Sequence, residues 1–263
     1  MSLQGVLVPL VTPVTRTGEV SKTCVARLVE SVRPHATGLL PGLSTGEGGH
    51  LSPRQWTDMV AATVQHADGL PVVAGVLLAD ARAIARRLAA VSGQRLHAVA
   101  VAPPFDPRAT DDDVCAHFGT LASASVTPIV IYNESHHSGV SMNVETIHRV
   151  CELGGVAGIK DSSGAIGVGR ELAATTGVPV FQGWEPLLGD SAGLAGSAVG
   201  LANLEPRLCA DAQRDPSAAT RAAVARAVRD YDLDGDDWYA SIKRELVRRD
   251  VIRTSALAGE VLR

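Results

Sequence analysis

Short apolar runs rich in β-branched residues alternate along most of the chain with longer stretches of helical period. The runs predict strands at Gly5–Val11, Gly38–Leu43, Pro71–Val76, Ala98–Ala102, Pro128–Asn133, Val156–Lys160, Val178–Gly183 and Ser197–Leu201. The intervening pattern predicts helices at Lys22–Val32, Pro53–His66, Ala81–Ser92, Asp111–Ser123, Val144–Glu152, Gly167–Thr175, Pro186–Gly193 and Leu204–Asp211. Ser52-Pro53 sets a capping hydroxyl before a first-turn proline, and Asp111-Asp112-Asp113 places acid at the positive end of a helix dipole. Runs that are apolar throughout, such as Val72-Val73-Ala74 and Ile129-Val130-Ile131-Tyr132, suit parallel strands covered on both faces.

Successive strands start about 20 to 33 residues apart, near the spacing of about 30 expected when some 250 residues build eight βα units. The pattern therefore predicts an α/β fold, a (β/α)8 TIM barrel. A doubly wound open sheet is the alternative, but the first strand lacks the glycine-rich dinucleotide turn. After Pro216 the pattern is purely helical, with amphipathic stretches at Ser217–Leu233 and Trp238–Asp250 and a short last segment at Ala256–Arg263. Residues 1–206 are accordingly expected to form the barrel and 207–263 a helical extension packed on it.

With 263 residues, 46% apolar and 20% charged, the chain has the composition of a globular protein with a large core. A formal net charge of −4 without a Lys/Arg block suggests neither a nucleic acid nor a membrane surface as partner. No apolar run approaches the roughly 20 residues needed to span a bilayer, and no basic segment leads into a hydrophobic one at the start. A cytoplasmic location is the expectation. Cys24, Cys115, Cys151 and Cys209 are far apart, lack metal-ligand spacing and read as ordinary buried thiols.

The candidate chemistry centres on Gly158-Ile159-Lys160-Asp161-Ser162-Ser163-Gly164. A lysine that closes an apolar strand is unusual because its ammonium is costly to desolvate. Desolvation favours the neutral amine, which can attack a ketone to form a Schiff base. The plainer reading is a lysine reaching from a strand end to solvent. In a barrel the C-terminal strand ends converge on one mouth, and three other ends carry polar groups. Strand two runs into Ser44-Thr45-Gly46-Glu47-Gly48-Gly49, whose hydroxyls and amides could cradle a carboxylate or merely form a turn. Strand five ends at Tyr132-Asn133, a proton shuttle or a core tyrosine, and strand seven at Gly183-Trp184-Glu185.

Thr12-Pro13, Ser44-Thr45-Gly46-Glu47, Tyr132-Asn133 with Gly139, the Lys160 segment, and Gly193-x-x-Gly196 followed by Ala202-Asn203-x-x-Pro206 occur in one order over residues 5–206. Together they resemble the dihydrodipicolinate synthase and N-acetylneuraminate lyase family. The resemblance implies a barrel enzyme whose Lys160 forms an imine with pyruvate or another 2-oxo acid. It also implies Tyr132 as proton shuttle and Ser44 and Thr45 as the carboxylate site. The expected substrate-binding set is Ser44, Thr45, Gly183, Glu185, His137 and Ala198. No metal or other cofactor is expected, because the iminium is itself the electron sink. A 2-oxo acid, an aldehyde and a homo-oligomeric partner, dimer or tetramer, are the implied partners.

The departures bear on substrate. His137 stands where synthases of this family carry an arginine for the second substrate's carboxylate, and imidazole lacks that permanently charged fork. Phe105 stands where family members carry a tyrosine that relays protons across a subunit interface. Ser44-Thr45, in place of Thr-Thr, is closer to sialic acid lyases. These features point away from dihydrodipicolinate synthesis towards another aldehyde or a longer 2-oxo sugar acid. Dehydration of a 2-keto-3-deoxy sugar acid, and a barrel that binds 2-oxo acids without turnover, are the alternatives.

Three other motifs carry less. Asp230-x-Asp232-x-Asp234-Gly235 copies half of a calcium loop, but Trp238 and Ser241 occupy the ninth and twelfth positions, so an acidic solvated turn is expected. Adjacent His136 and His137 diverge from one another and lack a third ligand nearby, and Gly164-x-x-Gly167-x-Gly169 reads as a flexible βα loop.

Overall fold

The computed structural model describes residues 3–259. Eight strands occur in chain order: β1 (Gly5–Val8), β2 (Gly38–Leu39), β3 (Val73–Val76), β4 (Ala98–Val101), β5 (Ile129–Asn133), β6 (Val156–Asp161), β7 (Val180–Gln182) and β8 (Gly196–Ser197). All pair in parallel, in the order β2-β1-β8-β7-β6-β5-β4-β3. A parallel bridge between Leu39 and Val72, with the Leu39 amide donating to Pro71 O at 2.9 Å, brings the two ends of the sheet together. The fold is a (β/α)8 TIM barrel with added C-terminal helices.

Six helices fill the first six crossovers: α1 (Lys22–Val32), α2 (Pro53–His66), α3 (Ala81–Ala89), α4 (Asp111–Ala124), α5 (Val144–Glu152) and α6 (Ile166–Thr175). Ser52 and Thr110 form the reciprocal capping boxes of α2 and α4, and Pro53 takes the first helical turn. The last units depart from the expected pattern. A 3-10 turn at Glu185–Asp190 replaces the helix expected at Pro186–Gly193, and another at Gly200–Asn203 follows β8. Three further helices are α7 (Pro206–Arg214), α8 (Ala218–Asp230) and α9 (Trp238–Arg248). Helix α7 packs on β1 and completes the eighth unit, so a division at residue 206 falls at its first residue. Of the segment expected at Ala256–Arg263, residues 260–263 lie outside the described residues.

Prolines explain why several strands are shorter than their apolar runs. Pro9 follows β1 and Pro41 lies just beyond β2, and neither has an N–H to continue a ladder. At β8 the limit is closeness: a Cβ on Gly196 would lie 1.9 Å from Gly5 O. Two residue pairs join β1 to β8 before the chain turns away.

Strand alternation sorts the core. Ala98, Ala100, Val130, Tyr132, Phe181 and Ala198 fill the barrel interior, whereas Val99, Val101, Ile129 and Ile131 face the helices. Cys24 and Cys209 are buried, Cys115 and Cys151 are partly exposed, and all four are free thiols. Among the described residues no helix is long and apolar enough to cross a membrane.

Asn203 ties the last unit to the first. Its Oδ1 accepts from the Val11 amide at 3.1 Å, and its Nδ2 donates to Pro9 O at 2.8 Å and Gly200 O at 3.0 Å. Asn203→Ala leaves these buried main-chain groups unpaired, and the expected loss is about 3 kcal/mol, read as a lower midpoint in urea unfolding. A loss under about 0.5 kcal/mol would show that the closure does not depend on this side chain.

Candidate active site

The strand register decides which side chains meet. Tyr132 on β5 lies opposite Lys160 on β6, and Lys160 opposite Phe181 on β7. In parallel strands, paired residues project to the same face, so the Lys160 side chain points into the barrel beside Tyr132. Its Nζ sits 4.2 Å from the centre of the Tyr132 ring. The Tyr132 hydroxyl is 3.1 Å from Ser44 Oγ. Ser162 Oγ donates to Gly183 O at 3.1 Å, which joins the loops after β6 and β7.

These groups line a cavity of about 470 Å3 at the C-terminal ends of the strands. Ser44, Thr45, Tyr132, His137, Lys160, Gly183, Glu185 and Ala198 all border it. Ser44, Thr45 and Ala198 are buried in its floor, Glu185 and Gly183 are partly exposed, and His137 lies at the exposed mouth. Gly183 is required by space: a Cβ there would lie 2.1 Å from Ser162 Oγ and 3.0 Å from Lys160 Cε. The ends of β5 and β6 are locked by buried polar groups. Asn133 Nδ2 donates to Asp161 Oδ1 at 2.8 Å, and Ser163 Oγ donates to Asp161 Oδ2 at 3.1 Å.

Electrostatics follow from burial. Lys160 is 3% exposed, and desolvation pulls its ammonium from 10.5 down to about 8, against the opposing pull of Glu185 and Glu134. Desolvation pushes the Tyr132 phenol well above its ordinary value, so its hydroxyl keeps its proton through the neutral range. The Glu185 carboxyl is raised by desolvation, opposed by main-chain amides and by Lys160. Its Oε1 accepts from the Gly200 amide at 2.6 Å. Enclosure in the mouth, followed by His136, His50 and Lys160, holds the His137 imidazole below its ordinary value, against the pull of Glu134.

Several lining groups are not legible as site residues from sequence. Glu134, buried at the start of the loop after β5, accepts the His137 and Ser138 amides and thereby shapes that loop. Trp184, 48% exposed, stands at the mouth. The acidic turn at 230–237 is solvated as expected, yet Asp234, Gly235 and Asp236 also rim the cavity. From α9, Trp238 Nε1 donates to Thr45 Oγ1 at 3.5 Å. Phe105 borders a neighbouring cavity of about 420 Å3, which shares Ser44, His136, His137, Asp236 and Trp238 with the first. Gly167 and Gly169 lie inside α6 and not in a flexible loop; a Cβ on Gly169 would come within 3.3 Å of Asp161 Oδ2. Among the described residues no group of three His, Cys, Asp or Glu side chains could hold a metal ion.

The sequence model of the dihydrodipicolinate synthetase family matches residues 2–214, and the chain belongs to that family. It is 31% identical over 186 residues to 4-hydroxy-tetrahydrodipicolinate synthase of Neisseria gonorrhoeae, covering 69% of this chain and 64% of that protein. Against the enzyme of that name from Ruegeria pomeroyi it is 33% identical over 221 residues, 80% of this chain and 74% of that one. The chain thus spans less than two thirds of the Neisseria protein's length. Dihydrodipicolinate synthase from Bacteroides thetaiotaomicron shares the fold with a TM-score of 0.88 at 22% identity, covering 98% of this chain and 92% of that one. Sialic acid aldolase from Ruminococcus gnavus does so with a TM-score of 0.86 at 19% identity, covering 95% and 87%.

A lysine with its pKa near 8 loses its proton mainly between pH 7 and pH 9, whereas an ordinary lysine remains an ammonium there. Competitive labelling with acetic anhydride, read by peptide mass spectrometry, is expected to show Lys160 reacting with a midpoint near pH 8. A midpoint above pH 10 would contradict the desolvated amine.

Proposed function

We propose that the protein is a class I, Schiff-base-forming lyase or aldolase acting on pyruvate or a related 2-oxo acid. The observation that carries this reading is the buried Lys160 amine, its pKa pulled down to about 8, beside Tyr132 and the Ser44-Thr45 hydroxyls in one cavity. The Ser44 and Thr45 hydroxyls hold the 2-oxo acid's carboxylate and present its ketone to Lys160. The neutral amine adds to the carbonyl carbon, and the carbinolamine loses water to give a protonated imine. That imine withdraws electrons from the adjacent carbon, so a proton or a carbon–carbon bond there breaks to leave an enamine. In the condensing direction the enamine attacks an aldehyde carbon, the aldehyde oxygen takes a proton, and water returns to release the amine. Tyr132, hydrogen-bonded to Ser44 and held as a phenol, donates and recovers the proton at these steps.

The aldehyde side of the cavity favours a neutral partner. His136, His137, Asp234 and Asp236 occupy it, Lys160 is the only lysine and no arginine lines it among the described residues. A volume of about 470 Å3 far exceeds what a three-carbon 2-oxo acid fills, leaving room for a hydroxylated chain. Cleavage or formation of a sugar-acid-like product therefore leads. The second reading, 4-hydroxy-tetrahydrodipicolinate synthesis, is favoured by the activity named for the curated relatives. An aldehyde screen separates them: turnover with uncharged polyhydroxy aldehydes supports the first, and turnover confined to a carboxylate-bearing aldehyde supports the second.

Borohydride reduction in the presence of pyruvate or a longer 2-oxo acid is expected to leave a stable adduct on the peptide containing Lys160. Lys160→Ala should give neither adduct nor turnover while remaining folded. A folded wild-type protein that traps no 2-oxo acid would turn the reading to a binding barrel without turnover. Tyr132→Phe should slow proton transfer by roughly 10²–10⁴-fold; an unchanged rate would remove Tyr132 from the mechanism.

A further inference from the structure

We infer that Glu47 and Lys243 are positioning residues for the substrate carboxylate, a buried ion pair through which the C-terminal helix holds the Ser44-Thr45 turn in its binding geometry. The inference rests on the 2-oxo acid reading proposed above. Glu47 directly follows Ser44-Thr45-Gly46, but it borders the neighbouring cavity and not the one around Lys160. Its carboxylate pairs with the Lys243 ammonium of α9, and their side chains are 1% and 0% exposed. Glu47 Oε2 also accepts from the Ala258 amide at 2.7 Å, and Lys243 Nζ donates to Ala256 O at 2.9 Å. One charge pair thus ties together the turn, α9 and the tail beyond it.

The turn is held from other sides as well. Thr12 Oγ1 donates to Gly46 O at 2.7 Å, and Trp238 at the start of α9 reaches Thr45 Oγ1. Glu47 has φ +59°, a left-handed backbone that a non-glycine residue keeps only where its surroundings fix it. At the next residue, a Cβ on Gly48 would lie 2.0 Å from Gly42 O, so the turn is folded tightly on itself. Burying two charges is costly, and an apolar pair of equal size would commonly serve stability as well. What the ion pair adds is direction. Its hydrogen bonds fix where Glu47 sits and hence where Ser44 and Thr45, three and two residues earlier, place their hydroxyls. Lys243, Ala256 and Ala258 all lie beyond the family match at 2–214, so this support comes from outside the matched region.

A cradle displaced by its support should lose ground-state binding of the 2-oxo acid before it loses chemistry at Lys160. The double variant Glu47→Gln/Lys243→Met removes both charges at nearly constant size. Expected is a rise of about tenfold or more in the pyruvate concentration for half-maximal borohydride trapping. The trapping rate at saturating pyruvate should stay within about threefold of wild type, a split between binding and chemistry that a global packing defect would not produce. A folded double variant with half-saturation within about twofold of wild type would overturn the inference. Hydrogen exchange on the wild-type protein decides the matter independently of how the variant folds. Saturating pyruvate should slow exchange of the Ala258 amide together with the amides of residues 46–48, because linkage is reciprocal. Slowing at residues 46–48 with no change at Ala258 would overturn the coupling. Failure of wild-type Lys160 to trap any 2-oxo acid is a separate outcome: it defeats the catalytic reading itself and takes this inference with it.

Discussion

The return of the eighth strand to the first is the constraint on which the architecture depends. Gly196 passes so close to the Gly5 main chain that it tolerates no side chain, and Asn203 then bonds the main chain at Pro9, Val11 and Gly200. Closure of this kind removes the exposed edges that an open sheet would present. It also compels every strand to end on one rim, where the loops after β2, β5, β6, β7 and β8 meet. The cavity around Lys160 is a consequence of that geometry before it is a property of any single residue.

Within the rim, the decisive energetic term is the desolvation of one amine. The barrel interior supplies aromatic and aliphatic neighbours in Tyr132, Phe181 and Ala198, and the nearby carboxyl groups only partly offset the loss of water. The same enclosure acts in opposite directions on acids and bases. It lowers Lys160 and His137 and raises Tyr132, Asp161 and Glu185, so the site tends towards neutral forms. An amine freed of its proton from about pH 8 upwards and a protonated phenol are the pair that the proposed imine chemistry uses.

The C-terminal helices belong to this site physically as well as covering the barrel. Trp238 and the acidic turn before it rim the cavity, and Lys243 and the tail grip Glu47 from behind. The 3-10 turns after β7 and β8 are part of the same arrangement. They keep the chain close to the rim, with α8 packed on one and α9 on the other, whereas a full helix at Pro186–Gly193 would have led it away.

Sequence alone carries the period of the elements, because apolar alternation is dictated by burial on a local scale. Lys22–Val32, Pro53–His66 and Val144–Glu152 are realised residue for residue, and β1 to β5 and β7 fall inside their apolar runs, whereas β6 runs one residue further and β8 starts one residue earlier than expected. Lys160, Tyr132 and the Ser44-Thr45 turn are equally legible, since a lysine or hydroxyl cluster at the end of an apolar run is a local oddity that burial preference does not explain. Strand ends are less legible, because Pro9, Pro41 and the Gly5–Gly196 approach act through pairing with distant chain. Trp238, Glu134 and the Glu47–Lys243 pair are not legible at all. Each is an unremarkable residue in its own neighbourhood and gains its role from a partner brought close by closure, in the last case 196 positions further along the chain. Local patterning determined the elements and the lysine at the strand end, and the tertiary structure decided what surrounds that lysine, because contact across the barrel is set by packing and not by sequence proximity.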